Sequence, residues 1–309
     1  MKTNSCIMVT GANGLAGSAV VENLRRDHTC VVPVTRADAD LRHPDEALEL
    51  FTVVKPDVVF HAAATVYGLQ GNMDNQFKAV MDNTMINTAV VGSAHALRVK
   101  HFIAMGTNAV YPASSPVPYR VETIFDGRPH EAEMGYAHAK RHMLAMLEAS
   151  DMKYTYLVSG NLYGPRDTFD PIGGHVLPSM IHKFYEASID PSKTVDLWGT
   201  GEARRDFLYS EDLAEIVRAV LYQEHSSGPM NIGNGRNYQL RDISYILASI
   251  SGVGYDRVRW DETKPTGRLV TYSDLGALMW FDRPLQTGIT EGLRKTFEWY
   301  KADRARAHA

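Results

Sequence analysis

The sequence predicts an α/β protein with a Rossmann-type, doubly wound parallel sheet and a smaller C-terminal α/β substrate lobe. Short apolar runs alternate with helical patterns through the first 165 residues, which is typical of parallel strands joined by right-handed helical crossovers. A glycine-rich loop separates the first of these runs from the first helical pattern. After Pro165 the pattern becomes loop-rich. We therefore expect a dinucleotide-binding domain over residues 1–165, with later segments at roughly 206–235 returning to it, and a mainly substrate-binding lobe over 166–309.

The composition excludes several classes of protein. Hydrophobic residues make up 44% and charged residues 22% of the 309-residue chain, as in an ordinary globular protein. A net charge of -4 and a pI near 6.3 provide no basic surface for nucleic acid. No apolar stretch predicts a membrane span or a signal peptide. Cys6 and Cys30 lie in strand-like runs, which argues against a disulfide framework and indicates the reducing cytoplasm.

The glycine-rich loop predicts a dinucleotide site. It follows the apolar run 5–10, and a helical pattern continues from it to about residue 26. Glycines at 11, 14 and 17 allow a tight turn, close approach of the backbone to a phosphate, and close packing of the helix on the strand. The free N–H groups at the start of the helix then face the anion. The residues predicted to contact the dinucleotide here are Gly11, Asn13, Gly14, Leu15, Ala16 and Gly17.

The ends of the next two strands refine the choice of cofactor. The second strand, 30–34, is followed by Arg36, and positions 34–36 contain no carboxylate that could bind the ribose 2′-hydroxyl of NAD. An arginine at this point accommodates the 2′-phosphate of NADP, so we expect NADPH/NADP. Asp40 and Leu41 follow and could flank the adenine. After the third strand, the small residues Ala62 and Ala63 let the backbone approach the cofactor, and we expect a structural role for His61.

Tyr136 and Lys140 are the strongest catalytic candidates. They are four residues apart in a predicted helix, 132–149, and so lie on one face of it. A lysine ammonium beside a phenol should lower the phenol pKa from its ordinary value near 10. Such a phenol can donate a proton to a carbonyl oxygen while a hydride reaches the carbon. Thr107 follows another predicted strand, 102–105, and supplies a hydroxyl for the same carbonyl.

The C-terminal part is predicted less sharply. Residues 195–201 and 204–209 are expected to form a hairpin. Helical patterns occur at 211–223, 239–250 and 289–302.

The chain resembles the extended short-chain dehydrogenase/reductases from end to end. The motifs that carry this resemblance are Thr-Gly-x-x-Gly-x-x-Gly at 10–17, His-x-Ala at 61–63, Thr107, Tyr136-x-x-x-Lys140 and Asn-Leu-Tyr-Gly-Pro at 161–165. Within this superfamily it looks most like the GDP-L-fucose synthase family of GDP-4-keto-6-deoxymannose 3,5-epimerase–4-reductases. That narrower resemblance adds His-Val-Leu-Pro at 175–178, Trp-Gly-Thr-Gly at 198–201, Arg-Asp-Phe-Leu at 205–208 and Lys-Pro-Thr-Gly at 264–267.

The resemblance implies roles for individual residues. Tyr136 would protonate the C4 oxygen, Lys140 would lower its pKa and hold the nicotinamide ribose, and Thr107 would orient the carbonyl. The nicotinamide half of NADPH would be lined by Met105, Gly106, Thr107, Asn108, Ser159, Gly160, Asn161, Leu162 and His175. The GDP-sugar would be contacted by Ala109, Asn161, Lys183, Trp198, Arg205 and Lys264, with the cations of Lys183 and Arg205 on the diphosphate. The resemblance also implies a homodimer through helices at 79–97 and 134–150.

One departure from the family pattern bears on the reaction. The family places two serines and a cysteine where this chain has Thr107, Asn108 and Ala109, and the cysteine works with the later histidine as the acid/base pair of epimerisation. Epimerisation needs one group to remove a proton and another to return it on the opposite face. His175 remains, but Ala109 cannot ionise. We therefore predict an NADPH-dependent C4-keto reductase with little or no 3,5-epimerase activity.

Several alternatives stay open at this point. The sugar could be a hexose, a dideoxy hexose or a heptose. The chain could be a bifunctional GDP-L-fucose synthase, or a nucleotide-sugar 4-epimerase, although Arg36 argues against the NAD that such an epimerase retains. A 4,6-dehydratase is disfavoured because Asn108 and Ala109 provide no acid. An NADP-binding sensor or partner subunit without catalysis is disfavoured because Tyr136 and Lys140 are both present.

Overall fold

The fold was analysed in a computed structural model, which describes residues 5–171, 173–222, 227–264, 267–276, 278 and 287–307. The elements of the first part of the chain are β1 (Ile7–Thr10), α1 (Leu15–Leu24), β2 (Val31–Val34), α2 (Pro44–Val54), β3 (Val58–His61), α3 (Leu69–Asp74), α4 (Gln76–Ala96), β4 (His101–Met105), α5 (Met134–Glu148) and β5 (Tyr154–Ser159). Helix α2 is absent from the sequence-based prediction.

The second part of the chain has shorter strands and fewer crossovers. Its elements are β6 (Asn161–Tyr163), α6 (Val176–Ile189), β7 (Val195–Trp198), β8 (Arg204–Tyr209), α7 (Ser210–Tyr222), β9 (Gly228–Ile232), β10 (Asn237–Gln239), α8 (Leu240–Ser251), β11 (Val258–Asp261), β12 (Val270–Thr271) and α9 (Ile289–Ala307). Among the described residues, no helix is both long enough and apolar enough to cross a membrane.

A six-stranded parallel sheet forms the centre of the molecule, with the strand order β2-β1-β3-β4-β5-β9. The chain runs outward from β1 to β2 and then returns to place β3 on the other side of β1. The strand order therefore reverses at β1, and ligands of such sheets bind beyond the carboxyl ends of the strands at this point. The Rossmann-type fold class is confirmed.

Two apolar layers cover the sheet. Helices α2, α4 and α5 pack on one face, where Phe51, Val90 and Leu144 are buried. Helices α1 and α7 pack on the other face with Val20 and Leu213. Strands β1, β3 and β4 are buried along their whole length, which explains why their sequences are continuous apolar runs rather than alternating ones.

The smaller lobe differs from the predicted hairpin. Strand β7 pairs in parallel with β11, whereas β8 pairs with β6, β10 and β12. Gly199 and Gly201, which lie between β7 and β8, both adopt positive φ angles of 78° and 79°. These left-handed residues redirect the chain, so that the two strands enter different sheets. The hairpin prediction was wrong.

Part of the segment at 206–235 returns to the large sheet. Strand β9 adds to its edge beside β5, and helix α7 packs against α1. The residues of this segment that belong to β8 instead pair within the smaller lobe. The chain therefore passes several times between the large sheet and the smaller lobe, and residues of both line the cleft between them.

Candidate active site

The glycine-rich loop forms a close-packed turn at the end of β1. Gly11 has φ 69°, and a Cβ atom there would lie 2.8 Å from the backbone nitrogen of Ala63. A Cβ at Gly17 would lie 2.2 Å from the carbonyl oxygen of Gly11. Only glycine fits at either position. Helix α1 starts after Gly14, which provides no side-chain cap, so the first N–H groups of the helix are left to an anion.

The end of β2 supplies the next part of the site. Arg36 is exposed, and no hydrogen bond or ion pair joins it to any described residue. Asp40 instead accepts hydrogen bonds from the Arg42 guanidinium, which hold the pKa of Asp40 below its ordinary value. Arg36 is therefore the cation available to a phosphate here. Arg42, which the sequence-based prediction missed, also lines this region.

A cavity of about 580 Å³ lies beyond the carboxyl ends of β1 to β5. All the residues predicted to bind the dinucleotide line it: Gly11, Asn13, Gly14, Leu15, Ala16, Gly17, Arg36, Asp40, Leu41, Ala62, Ala63, Met105, Gly106, Thr107, Asn108, Tyr136, Lys140, Ser159, Gly160, Asn161, Leu162 and His175. We call it the first cavity. The catalytic candidates and the glycine-rich loop thus share one space, which the spacing along the sequence alone could not show.

Lys140 is buried at the base of this cavity. Its side chain is 1% exposed, and its Nζ donates a hydrogen bond of 2.8 Å to the carbonyl oxygen of Met105 at the end of β4. Burial lowers the pKa of Lys140 to about 8. The same nitrogen lies 5.8 Å from the centre of the Tyr136 ring. The helix therefore holds both groups as the four-residue spacing predicts.

The pKa of Tyr136 differs from the prediction. Burial raises it above the ordinary value of a phenol, and the Glu133 carboxylate raises it further. The predicted net lowering by Lys140 is not observed, because the desolvation of the buried phenol outweighs the attraction of the ammonium. Tyr136 is consequently a protonated phenol at neutral pH, which is the state a proton donor needs.

Thr107 begins a short 3₁₀ turn after β4. Its Oγ1 accepts a hydrogen bond of 3.2 Å from the backbone N–H of Ala109. This bond uses an oxygen lone pair and leaves the hydroxyl hydrogen to be donated elsewhere. Because Thr107 lines the first cavity, that hydrogen is placed for a ligand carbonyl.

His61 connects the sheet to the catalytic helix. Its Nδ1 lies 2.7 Å from the hydroxyl of Thr10, and its Nε2 lies 3.2 Å from the side-chain oxygen of Asn87. Asn87 in turn donates to the carbonyl oxygen of Ala139 on α5. Burial lowers the pKa of His61 to about 3, so the ring is neutral and Nε2 is the donor. His61 positions α5, as expected for a structural histidine.

A second cavity, of about 360 Å³, adjoins the first. Both are lined by Asn108, Glu133, Asn161 and His175, so the two spaces meet next to Thr107 and one helical turn before Tyr136. The second cavity extends into the smaller lobe, where Lys183, Trp198 and Arg205 line it as predicted. His175 is an exposed residue at the start of α6.

The cations of the second cavity are held by backbone carbonyl oxygens. Lys183 Nζ donates to the carbonyl of Asp196 at 2.9 Å and lies 5.7 Å from the Trp198 ring centre. Arg205 donates to the carbonyl oxygens of Arg204 and Leu269. Burial lowers the pKa of both Lys183 and Arg205. Among the described residues, no carboxylate forms a hydrogen bond with either side chain, so their charge remains for an anionic ligand.

Two residues predicted to contact the substrate lie outside the described lining of the cavities. Ala109 is 2% exposed and is not part of the described lining of either cavity. The 3₁₀ turn that follows Thr107 buries its methyl group. Lys264 is exposed in the turn after β11 and is likewise absent from the described lining of the second cavity. Pro265 and Thr266 of the same motif lie outside the described residues.

Several residues of the second cavity were missed from the sequence. Arg268 lines it, and its guanidinium donates to the Tyr119 hydroxyl at 2.8 Å and to the Tyr111 carbonyl at 3.0 Å. Trp260 also lines it, on the strand paired with that of Trp198. Glu133 lies between the two cavities, one turn before Tyr136. The Trp260 and Arg268 contacts arise from pairing between distant segments, which no local pattern reports.

Residues 7–233 match the model of the NAD dependent epimerase/dehydratase family. The chain belongs to this family. The match spans the whole large sheet and the catalytic helix, so it covers the first cavity described above. It confirms both the predicted superfamily resemblance and the expectation that the protein is an enzyme.

Individual relatives resemble nearly the whole chain. GDP-L-fucose synthase 1 of Arabidopsis thaliana is 32% identical over 303 residues, which cover 95% of this chain and 92% of the relative. Among solved structures, a GDP-6-OMe-4-keto-L-xylo-heptose reductase from Campylobacter jejuni has a TM-score of 0.88 and 26% identity, covering 98% and 99% of the two chains. A GDP-D-glycero-L-gluco-heptose synthase from the same organism, solved with NADPH, has a TM-score of 0.87 and 25% identity, covering 97% and 99%.

Proposed function

We propose that the protein is an NADPH-dependent C4-keto reductase of a GDP-linked 4-keto-6-deoxy sugar, with little or no 3,5-epimerase activity. The observation that carries this proposal is that the two cavities adjoin beside the catalytic residues, where Asn108, Glu133 and His175 line both. Tyr136, Lys140 and Thr107 line the cavity of the glycine-rich loop, and that cavity adjoins a second one with cationic and aromatic residues. A nucleotide-linked ketone is the class of substrate that needs both.

The residues of the first cavity fit NADPH. The turn at Gly11 and Gly17 excludes side chains, and the uncapped start of α1 offers N–H groups to a diphosphate. Arg36 is exposed at the end of β2, where its guanidinium can bind the 2′-phosphate. NADPH is therefore the cofactor, and when bound it supplies the hydride for reduction.

Three side chains then donate the proton, stabilise the phenolate that forms and orient the carbonyl group. Tyr136 donates its phenolic proton to the C4 oxygen as negative charge develops there. Lys140, charged below its pKa of about 8, stabilises the phenolate that remains. Thr107 donates its hydroxyl hydrogen to the same oxygen and fixes the orientation of the ketone.

The second cavity suits a nucleoside diphosphate. Lys183, Arg205 and Arg268 provide three cations, and Arg205 can present a planar pair of donors to a phosphate. Trp198 and Trp260 provide aromatic surfaces beside them. The names of the relatives, which are GDP-sugar enzymes, support guanine as the base and a hexose or heptose as the sugar.

The proposed lack of epimerase activity depends on the supply of acid/base groups. Ala109 has no ionisable group, and its methyl is buried away from both cavities. His175 reaches the junction of the cavities and can position the cofactor or the sugar. The bifunctional GDP-L-fucose synthase is the alternative to be tested against this proposal.

The deciding experiment follows NADPH consumption with a GDP-4-keto-6-deoxy hexose as substrate, in the wild type and in Tyr136→Phe. We expect turnover with the wild type and a loss of at least about 100-fold in kcat for the variant, because the proton donor is removed. Tyr245→Phe is the matched control, since it removes a hydroxyl from a half-exposed tyrosine on α8. NADPH binding without turnover on hexose, dideoxy hexose or heptose ketones would show that the protein is not a reductase of this class.

We also propose a homodimer formed through α4 and α5. Helix α4 exposes Phe77, Met81 and Met85, at 77%, 45% and 39% of their surfaces. An apolar stripe of this kind on a helix favours burial against a partner. Sedimentation of the purified protein tests the proposal, and a monomer at micromolar concentration would contradict it.

A further inference from the structure

Cys6 and Cys30 lie side by side at the start of β1, which leads into the glycine-rich loop, and of β2, which ends near Arg36. Each cysteine directly precedes its strand, and the parallel register pairs Ile7 with Val31. The two sulfur atoms are 2.7 Å apart. A disulfide has a sulfur–sulfur distance of about 2.05 Å, so closure requires a shift of less than about 1 Å.

The backbones on both sides of this pair are fixed. The amide of Ile7 donates to the carbonyl oxygen of Cys30 at 2.9 Å. The amide of Cys6 donates to the Asp57 carboxylate at 2.9 Å, and its carbonyl oxygen accepts from the amides of Asp57 and Val58. The thiols are thus held in register by three strands, which removes the orientational search that usually limits disulfide formation.

The two thiols are not equivalent. Both residues are partly exposed. Burial of the sulfur, the contact with Cys30 and the Asp57 carboxylate raise the pKa of Cys6 to about 12. The raised pKa disfavours the Cys6 thiolate, so we assign the second, resolving step to Cys6.

The pair lies away from the catalytic chemistry. Cys6 and Gly11 are separated by the length of strand β1, a distance of roughly 16 Å. A covalent link at Cys6 and Cys30 would tie the strand that ends in the glycine-rich loop to the strand that ends near Arg36. It would constrain the unfolded chain without adding any group to either cavity.

We propose that Cys6 and Cys30 form a reversible intramolecular disulfide when the protein meets a peroxide. The Cys30 thiolate attacks one peroxide oxygen and becomes a sulfenic acid, with release of water after protonation of the other oxygen. The Cys6 thiol then attacks the Cys30 sulfur and displaces a second water as the S–S bond forms. Both thiols are oxidised and the peroxide is reduced to two waters, and a dithiol reverses the step. The disulfide stabilises the nucleotide-binding half of the protein and leaves its activity unchanged.

The test treats the purified full-length protein with hydrogen peroxide and then counts thiols in denaturant. We expect two free thiols before treatment and none after, a monomer mass lower by two hydrogen atoms, and full recovery with dithiothreitol. The melting temperature of the oxidised protein should rise by roughly 5 °C, with kcat/KM within about twofold of the reduced protein. Peptide mapping without reduction should join the peptides that contain residues 6 and 30.

Cys30→Ser is the matched control, because it keeps Cys6 and removes the attacking thiol. We expect it to retain one thiol after the same treatment and to show no rise in melting temperature. Two free thiols in the treated wild type, addition of oxygen atoms without a cross-link, or a bond between two chains would each overturn the proposal. None of these readouts depends on the proposed substrate, so the outcome is independent of the reductase assignment.

Discussion

The ammonium nitrogen of Lys140 lies 5.8 Å from the centre of the Tyr136 ring. It is held there by the Met105 carbonyl rather than by a carboxylate. At an effective dielectric constant of about 20, a unit charge at this separation stabilises a phenolate by about 3 kcal/mol. That energy corresponds to roughly a hundredfold in rate. Lys140 is thus placed to favour proton transfer from Tyr136, although burial and the Glu133 carboxylate raise the pKa of the phenol.

Replacing Lys140 by methionine should separate activity from stability. We expect Lys140→Met to lower kcat by about 100-fold, because the phenolate loses its charged neighbour. The same variant should unfold at a denaturant concentration at least as high as the wild type at pH 7, because it no longer buries a charge. Lys301→Met, on the exposed surface of α9, serves as the control and should change neither quantity.

The stability difference should depend on pH. The folded pKa of Lys140, about 8, is below its ordinary value of 10.5. The unfolded chain therefore binds more protons between these values, and the stability of the wild type rises with pH across this window. Below pH 8 the full shift of the Lys140 pKa lowers the stability of the wild type by about 3 kcal/mol. Lys140→Met removes this cost, but it also loses the hydrogen bond to Met105, which offsets part of the gain. Denaturant unfolding at pH 7 and pH 10 should show the advantage of Lys140→Met shrinking, and a constant difference would contradict this view.

Local sequence patterns predicted the large sheet because its strands and its glycine-rich loop each depend on residues that are close together in the sequence. A buried strand such as β1 is a continuous apolar run, and Gly11 and Gly17 are fixed by contacts within one turn. The Tyr136–Lys140 relationship follows from helix geometry alone. For these reasons every residue predicted to bind the dinucleotide lines one cavity.

The smaller lobe was less predictable because its contacts are not local. Strand β7 was expected to pair with the next strand but pairs with β11, some sixty residues later. Arg268 reaches the second cavity through hydrogen bonds to Tyr111 and Tyr119. The pKa of Tyr136 likewise depends on burial by the whole fold. Spacing along the chain carries none of this information.

Arg36 should set the preference between NADPH and NADH. It is exposed and has no described partner, so its charge is free for the 2′-phosphate. We expect Arg36→Gln to raise the KM for NADPH by about 10- to 100-fold and to leave that for NADH within about threefold. Arg42→Gln is the informative comparison, because that guanidinium is already bonded to Asp40. Equal sensitivity to both substitutions would assign the phosphate to Arg42 as well.

Arg205 should contribute to substrate binding much more than its neighbour Arg204. Arg205 lines the second cavity, whereas Arg204 is exposed and donates to Gln239. We expect Arg205→Gln to raise the KM for the nucleotide sugar by about 10- to 100-fold, with a smaller change in kcat, because the diphosphate is bound in both ground and transition states. The same change at Arg204 should leave KM within about twofold. Steady-state kinetics at two salt concentrations measure both effects.

Deuterium exchange distinguishes a simple reductase from a bifunctional enzyme. Epimerisation at C3 or C5 removes a carbon-bound proton and returns one from solvent, whereas reduction at C4 takes its carbon-bound hydrogen from NADPH. Because Ala109 is buried and cannot ionise, we expect the product formed in deuterated water to carry almost no deuterium at C3 or C5 by NMR. His175→Asn should lower kcat/KM by about tenfold without altering that result, as expected for a positioning residue. Substantial deuterium at both carbons in the wild type, lost in His175→Asn, would instead assign epimerase chemistry to His175.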